Sequence, residues 1–200
     1  MKYISIGPAC TTKYQIDEHK GKSETLFFDW LMTSMDSVIK IIDCKDINSI
    51  LYADNIIRDP INPYHHNNSR IRINSLDCVS IHDLGTEYTQ DDVTEFIEKY
   101  KRRFYRILEI IQSNEKVYFI RLGKMHENDI DRFNRAVLEI NPNCNFTTVS
   151  IDNNISNDVA ILKRNHYLSL TYNATIPSTA DWTGTYLNWE KIFLDIDQNT

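Results

Sequence analysis

A cysteine directly after a strand-like segment is the residue of this sequence best placed to do chemistry. Cys10 follows the apolar run Tyr3–Ile6 and a Gly7-Pro8 turn, and the polar segment Cys10–His19 contains helix-forming residues. A strand, a turn and a helix in this order put the sulfur at the positive end of a helix. A thiolate is stabilised there, and the cysteine pKa falls below its usual value of about 8.5. The pattern predicts a nucleophilic thiol, with a buried and inert cysteine as the alternative.

A histidine further along the chain is a candidate base for this thiol. His82 ends the strand-like run Val79–Ile81. Ligands bind beyond the carboxyl ends of strands in open α/β sheets, so we expect Cys10 and His82 to meet there. In such a pair the imidazole takes and returns the thiol proton, while a carboxylate or amide orients the ring. Four residues are candidates for that third position: Asp83, Asp29, Asp152 and Asp181. A second possible base is His126, which follows another predicted strand.

Other kinds of site have weaker support. Cys78 and His82 could contribute to a metal site with His65, His66 or Cys44, but four residues along a strand separate the first two by about 13 Å. The sequence also lacks the G-x-S-x-G, G-x-G-x-x-G and P-loop motifs. We therefore expect neither a metal nor a cofactor.

The elements around these residues alternate between strands and helices. Ser34 is placed to cap a helix through Asp43, and a spacing of three and four residues predicts a long amphipathic helix after the Thr89 capping position. Further segments follow: a strand over Val117–Leu122, a helix over Asp129–Ile140, a strand over Asn145–Ile151 and a final helix with an aromatic face over Tyr186–Ile196. This alternation predicts an α/β three-layer sandwich with a mostly parallel central sheet.

One region has no such regularity. Between residues 45 and 75 the chain is rich in proline, asparagine and histidine, which favours an exposed, irregular insertion. The segment Cys78–Leu84 after it predicts a short buried strand. We expect one domain over residues 1–200 that includes this insertion, because a domain takes roughly 100–200 residues.

Composition limits the partners. A net charge of −6 opposes the phosphate contacts that drive general nucleic-acid binding, so no nucleic-acid partner is expected. No stretch approaches the roughly 18 apolar residues that span a bilayer, and the N-terminus does not resemble a signal peptide. The four cysteines lack paired spacing. These features indicate a cytoplasmic protein with free thiols and no membrane association.

Several short motifs, taken in order, resemble a known family. They are Ile4–Cys10, Phe28–Leu31 with Ser34, Ile81–Asp83, Tyr100–Arg103, Val117–Arg121, Trp182, Gly184 and Trp189. Together they resemble bacterial and viral proteins described as papain-like cysteine peptidases. The resemblance implies a papain-like α+β fold as the alternative architecture, Cys10 and His82 as the catalytic pair, and the host cytoplasm as the location of a viral member.

The resemblance also suggests how a substrate would be bound. We expect a peptide or a small acyl or ester substrate beside Phe28, Trp30, Asp181 and Trp182, with Asp29 at least partly buried near the site and accepting hydrogen bonds. The papain signature has a glutamine before the cysteine and a tryptophan after it, and this sequence has neither, so backbone N–H groups must stabilise the oxyanion. Two alternatives stay open: an α/β acyl- or glycan-modifying enzyme with Cys10 in the nucleophile position, and a non-catalytic binding protein.

Overall fold

The computed structural model describes residues 1–154 and 160–199, which form two β-sheets and five α-helices. The helices are α1 (Cys10–Lys20), α2 (Met35–Ile42), α3 (Gln90–Gln112), α4 (Glu127–Ile140) and α5 (Trp189–Asn199), with short 3-10 turns at Ile47–Ser49 and Ala53–Asn55. The strands are β1 (Lys2–Ser5), β2 (Leu31–Thr33), β3 (Ile56–Arg58), β4 (Tyr64–His65), β5 (Asn68–Ile73), β6 (Cys78–Gly85), β7 (Val117–Leu122), β8 (Phe146–Asn153), β9 (Ala160–Arg164) and β10 (Tyr167–Tyr172). None of the described helices is both long enough and apolar enough to cross a bilayer.

The first sheet has the order β1-β7-β8-β10-β9, and only β9 runs antiparallel to its neighbour. Successive side chains of a strand point to opposite faces. Phe119 of β7 therefore joins the core formed with α2, α3 and α4, while Tyr118 and Ile120 join the core formed with α1 and α5. Both faces are covered by helices. The mixed α/β architecture with a mostly parallel central sheet is confirmed.

Local sequence signals explain where the helices begin. Ser34 caps α2 by accepting a hydrogen bond from the Ser37 N–H, and α3 starts with a capping box between Thr89 and Asp92. Each cap satisfies N–H groups that lack partners inside the helix. The helices and strands predicted for the second half of the chain are present, and their ends differ from the prediction by a few residues.

The second sheet is antiparallel, with the order β2-β6-β5-β3 and β4 paired with β5. Its strands β3, β4 and β5 all lie within residues 45–75, so the expectation of an irregular insertion is wrong for these segments. Ser69, Ile71 and Ile73 are buried and alternate with Arg70 and Arg72, which is the period of a strand. The prolines and asparagines that favour an irregular segment lie mainly in the connections and at strand ends.

Candidate active site

Cys10 and His82 meet where the two sheets adjoin. The distance between Cys10 Sγ and His82 Nε2 is 3.7 Å, within reach of a sulfur hydrogen bond. Cys10 is the first residue of α1 and its side chain is 7% exposed, whereas His82 lies on β6 and is exposed to solvent. The thiol is thus held inside the protein and the imidazole reaches it from the surface.

The turn before Cys10 is fixed to its surroundings by hydrogen bonds. The Gly7 carbonyl accepts from Thr12 Oγ1 at 3.1 Å, and the Pro8 carbonyl accepts from the Thr33 N–H of β2 at 2.9 Å. Ala9 precedes α1 and has no capping side chain. Among the described residues, the first N–H groups of α1 beside the thiol therefore have no side-chain cap, as an oxyanion requires.

His82 does not lie at the carboxyl end of a parallel strand, so that part of the sequence prediction is wrong. It lies within β6 of the antiparallel sheet, where the register with β5 shifts. Ser80 pairs with Ile71 and Leu84 pairs with Ser69, so the three residues 81–83 stand opposite Arg70. A bulge of this kind re-aims a side chain. It explains how His82 leaves the plane of its sheet toward Cys10.

Asp83, next along the bulge, is held by other partners than His82. Its carboxylate accepts hydrogen bonds from Ser80 Oγ, from the Tyr100 hydroxyl at 2.6 Å and from Lys99 Nζ at 2.6 Å. Burial alone would raise the pKa of Asp83, but these three donors hold it below its usual value. Within the described residues Asp83 makes no hydrogen bond to His82, so the structure gives it an anchoring position in the bulge.

Asp29 is buried, with 1% of its surface exposed, and is close enough to Cys10 to act on its pKa. Its Oδ2 accepts the Leu26 N–H at 2.8 Å and lies 3.6 Å from Lys13 Nζ, while Oδ1 is buried without a partner among the described residues. Burial raises the pKa of Asp29 to about 6, although Lys13 and the Leu26 N–H oppose the shift. Asp29 is buried and hydrogen-bonded as expected. It does not orient His82.

The environment of Cys10 raises the pKa of its thiol, contrary to the sequence prediction. Burial is the largest cause, and the carboxylates of Asp29 and Asp83 add to it. The N–H of Cys10 itself, at the start of α1, acts in the opposite direction and is outweighed. A thiol in this setting keeps its proton until a base accepts it.

Phe28 and Trp30, both predicted to bind substrate, lie in different surroundings. Phe28 is 1% exposed and packs against Phe27 in the core, so it is unavailable to a substrate and its assignment is wrong. Trp30 is half-buried with a positive φ of 66°, and its ring lies edge-on to His82 at 6.4 Å between centroids. The aromatic residue beside the pair is therefore Trp30.

The C-terminal segment approaches the other side of the nucleophile. The Trp182 carbonyl accepts from Thr11 Oγ1 at 2.5 Å, and the Trp182 ring, 56% exposed, lies 5.1 Å from that of Tyr14. Asp181 accepts hydrogen bonds from the N–H and hydroxyl of Thr183, which shapes the loop rather than pointing to a ligand. Trp182 thus lies beside the first turns of α1.

Within the described residues, the remaining candidates make no hydrogen bond to Cys10 or His82. His126 is at the start of α4. Cys44, Cys78 and Cys144 are free thiols, of which the last two are buried. Across residues 1–154 and 160–199, no three histidine, cysteine or acidic side chains form a group that could hold a metal ion.

One residue near the site received no role from the sequence. Arg121 is buried at the end of β7 and donates hydrogen bonds to the carbonyls of Ile6 and Thr33. A charged residue inside the apolar strand Val117–Leu122 was the available signal, because arginine is rarely buried without a specific set of partners.

The fold and the site together define a mixed α/β protein with a cysteine–histidine pair at a helix start. The family model described as "Putative papain-like cysteine peptidase (DUF1796)" matches residues 1–156, and the chain belongs to this family. The matched range contains Cys10, His82 and Arg121 but ends before β9, β10 and α5. Comparisons with curated proteins and with solved structures found no match.

Proposed function

We propose that this protein is a cysteine-dependent hydrolase that acts on a peptide, isopeptide or ester bond. The observation that carries the proposal is the 3.7 Å separation of Cys10 Sγ and His82 Nε2 at the start of α1. A thiol, an adjacent imidazole and free helix N–H groups are the parts that acyl transfer requires. Membership of the family supports the same chemistry.

In the first step, the substrate carbonyl carbon approaches Cys10 Sγ. The thiol proton moves to His82 Nε2 as the S–C bond forms, and the carbonyl oxygen takes up the negative charge. The first N–H groups of α1 stabilise this oxyanion. His82 then returns the proton to the leaving amine or alcohol as its bond to the carbon breaks, which leaves a thioester on Cys10.

In the second step, water hydrolyses the thioester. His82 removes a proton from the water as its oxygen attacks the acyl carbon, and the same N–H groups stabilise the second oxyanion. The C–S bond then breaks, the carboxylic acid product leaves, and the proton on His82 returns to Cys10 Sγ. No oxidant, metal or cofactor enters this sequence.

The raised pKa of Cys10 gives His82 a central part in the first step. At neutral pH the thiol is protonated in the free protein, so the imidazole must remove the proton as the bond forms. Trp30 beside His82 and Trp182 beside α1 provide apolar walls for the acyl group and the leaving group. The site therefore favours a substrate with an apolar or flat group next to the reacting carbonyl.

The experiment that tests the proposal uses p-nitrophenyl acetate as an activated acyl donor. We expect release of p-nitrophenol together with an acetyl group on Cys10, located by peptide mass spectrometry after acid quenching. Cys44→Ala is the matched control because Cys44 is a free, half-buried thiol that makes no hydrogen bond to His82 among the described residues. Acetylation spread over all four cysteines, with no preference for Cys10, would contradict the proposal.

A further inference from the structure

Arg121 is a buried cation whose hydrogen bonds go to backbone carbonyls. Its side chain is 8% exposed, Nη1 donates to the Ile6 carbonyl at 2.6 Å and Nη2 donates to the Thr33 carbonyl at 2.9 Å. Burial lowers the pKa of Arg121 to about 10, while Asp129 acts in the opposite direction. Within the described residues no carboxylate forms an ion pair with it.

The two carbonyls belong to the two halves of the candidate active site. Ile6 ends the segment that enters the Gly7-Pro8 turn, which leads to Cys10. Thr33 lies on β2, and β2 pairs with β6, the strand that carries His82. One guanidinium therefore joins the nucleophile's turn to the sheet of the base.

The space around this contact is filled. Gly7 has a φ of +91°, and a Cβ at that position would overlap Thr33 Oγ1 and lie 2.9 Å from Arg121 Nη1. Thr33 also donates its N–H to the Pro8 carbonyl at 2.9 Å. The turn can approach β2 this closely because residue 7 is glycine.

The residue type also fits a positioning role. A guanidinium is a planar fork whose donors have a fixed separation, so it sets the distance between two acceptors; a lysine ammonium does not. Burying a charge carries a large desolvation penalty, and a well-packed apolar residue of similar volume often stabilises a fold as well or better. Packing alone therefore does not account for an arginine here.

We propose that Arg121 is a positioning residue that holds Cys10 and His82 within reach of each other. This inference rests on the proposed function, since it concerns the same pair. Arg121 touches neither the thiol nor the imidazole in the hydrogen bonds of the structure, and it acts through the Ile6 and Thr33 backbone.

The test measures how strongly His82 influences Cys10 with and without the guanidinium. The rate of Cys10 alkylation by iodoacetamide at pH 7 is measured in the wild type, Arg121→Met and Arg121→Lys, each with and without His82→Ala. In the wild type we expect His82→Ala to slow alkylation by about tenfold or more, because the imidazole accepts the thiol proton. In Arg121→Met the same change is expected to slow it by less than about twofold, since the pair is no longer coupled.

Arg132→Met is the matched control. Arg132 lies on α4, is partly exposed and pairs with Asp36 at 3.0 Å, so its loss removes an arginine without touching either carbonyl. The control is expected to keep the full wild-type dependence on His82. Thermal unfolding of every variant shows whether it is folded during the measurement.

The outcomes distinguish the positioning role of Arg121 from the proposed catalytic pair. A folded Arg121→Met or Arg121→Lys protein that keeps the full dependence on His82 overturns the positioning role. If neither variant folds, Arg121 is required for the fold itself, and the positioning role is overturned as well. If alkylation of the wild type does not depend on His82, it is the proposed catalytic pair that fails.

Discussion

The two halves of the candidate site are held by different kinds of structure. Cys10 lies at the start of a helix, behind a turn that is bound to β2 and β7, and its side chain is buried. His82 lies on a bulge of an antiparallel strand and is exposed. The backbone therefore fixes the thiol, whereas the bulge and the anchored Asp83 fix the imidazole. Substitutions near Cys10 and substitutions near His82 should therefore differ in how much they change the rate of hydrolysis and how much they change the free energy of unfolding.

The largest effect is expected from Cys10→Ala. Loss of the only atom that bonds to the substrate should lower the rate of p-nitrophenyl acetate hydrolysis by about a thousandfold or more. The free energy of unfolding, measured in urea, should change little because the thiol is small. Equal loss in Cys44→Ala would show that the activity does not depend on the position of Cys10.

A somewhat smaller loss is expected from His82→Ala. Proton transfer by a positioned imidazole contributes about 10²- to 10⁴-fold, and the exposed ring adds little to packing. The rate of ester hydrolysis should therefore fall while the thermal unfolding midpoint stays near that of the wild type. His65→Ala, on strand β4 of the same sheet, is the control and should retain most of the activity. The reverse order of the two losses would make His65 the better base.

Phe28 and Trp30, which flank Asp29, should respond in opposite ways. Phe28→Ala opens a cavity in the core and should lower the free energy of unfolding by about 3–5 kcal/mol. Trp30→Ala should cost less stability, because the ring is half-buried, but should lower kcat/KM through its contact with His82. Urea unfolding and ester hydrolysis on both variants check this. A larger loss of stability in Trp30→Ala would place Trp30 in the core instead.

The smallest effect concerns the pH dependence of stability through Asp29. The pKa of Asp29 is about 6 in the folded protein and near 3.8 when unfolded, so the folded state binds more protons between these values. The free energy of unfolding should therefore fall as pH rises from about 4 to about 6, by on the order of 3 kcal/mol from this group.

Asp29→Asn removes the titrating group and should flatten that part of the curve. Urea unfolding at several pH values compares it with the wild type, and Asp36→Asn, an exposed carboxylate on α2, serves as the control. Asp29→Asn should also lower the pKa of Cys10, because one neighbouring negative charge is lost. If the free energy of unfolding changes with pH between 4 and 6 in the same way in Asp29→Asn and in the wild type, Asp29 is ionised in the folded protein throughout.

Local sequence patterns predict much of the fold. They also predict the two members of the candidate pair, Cys10 and His82. The capping positions Ser34 and Thr89 and the apolar strand at Val117 predicted their elements, because these signals involve only neighbouring residues. Cys10 and His82 were identified from their places after strand-like segments. The α/β class and the family followed as well.

What the sequence left out depends on contacts between distant segments. The bulge that aims His82 arises from pairing between β5 and β6. The second sheet was not predicted because the prolines and asparagines in its connections favour an irregular segment. The raised pKa of Cys10 depends on burial and on two carboxylates far from it in the chain. The role of Phe28 could not be separated from that of Trp30, since both are aromatic neighbours of Asp29.

The most direct test of the Cys10–His82 pair is the rate of Cys10 alkylation by iodoacetamide as a function of pH, in the wild type and in His82→Ala. Without the imidazole, we expect the rate to rise only above the usual cysteine range of about 8.5, because burial, Asp29 and Asp83 keep the thiol protonated. In the wild type the rise should come at lower pH, because the His82 imidazole accepts the thiol proton. Identical curves for the two proteins would contradict a functional pair.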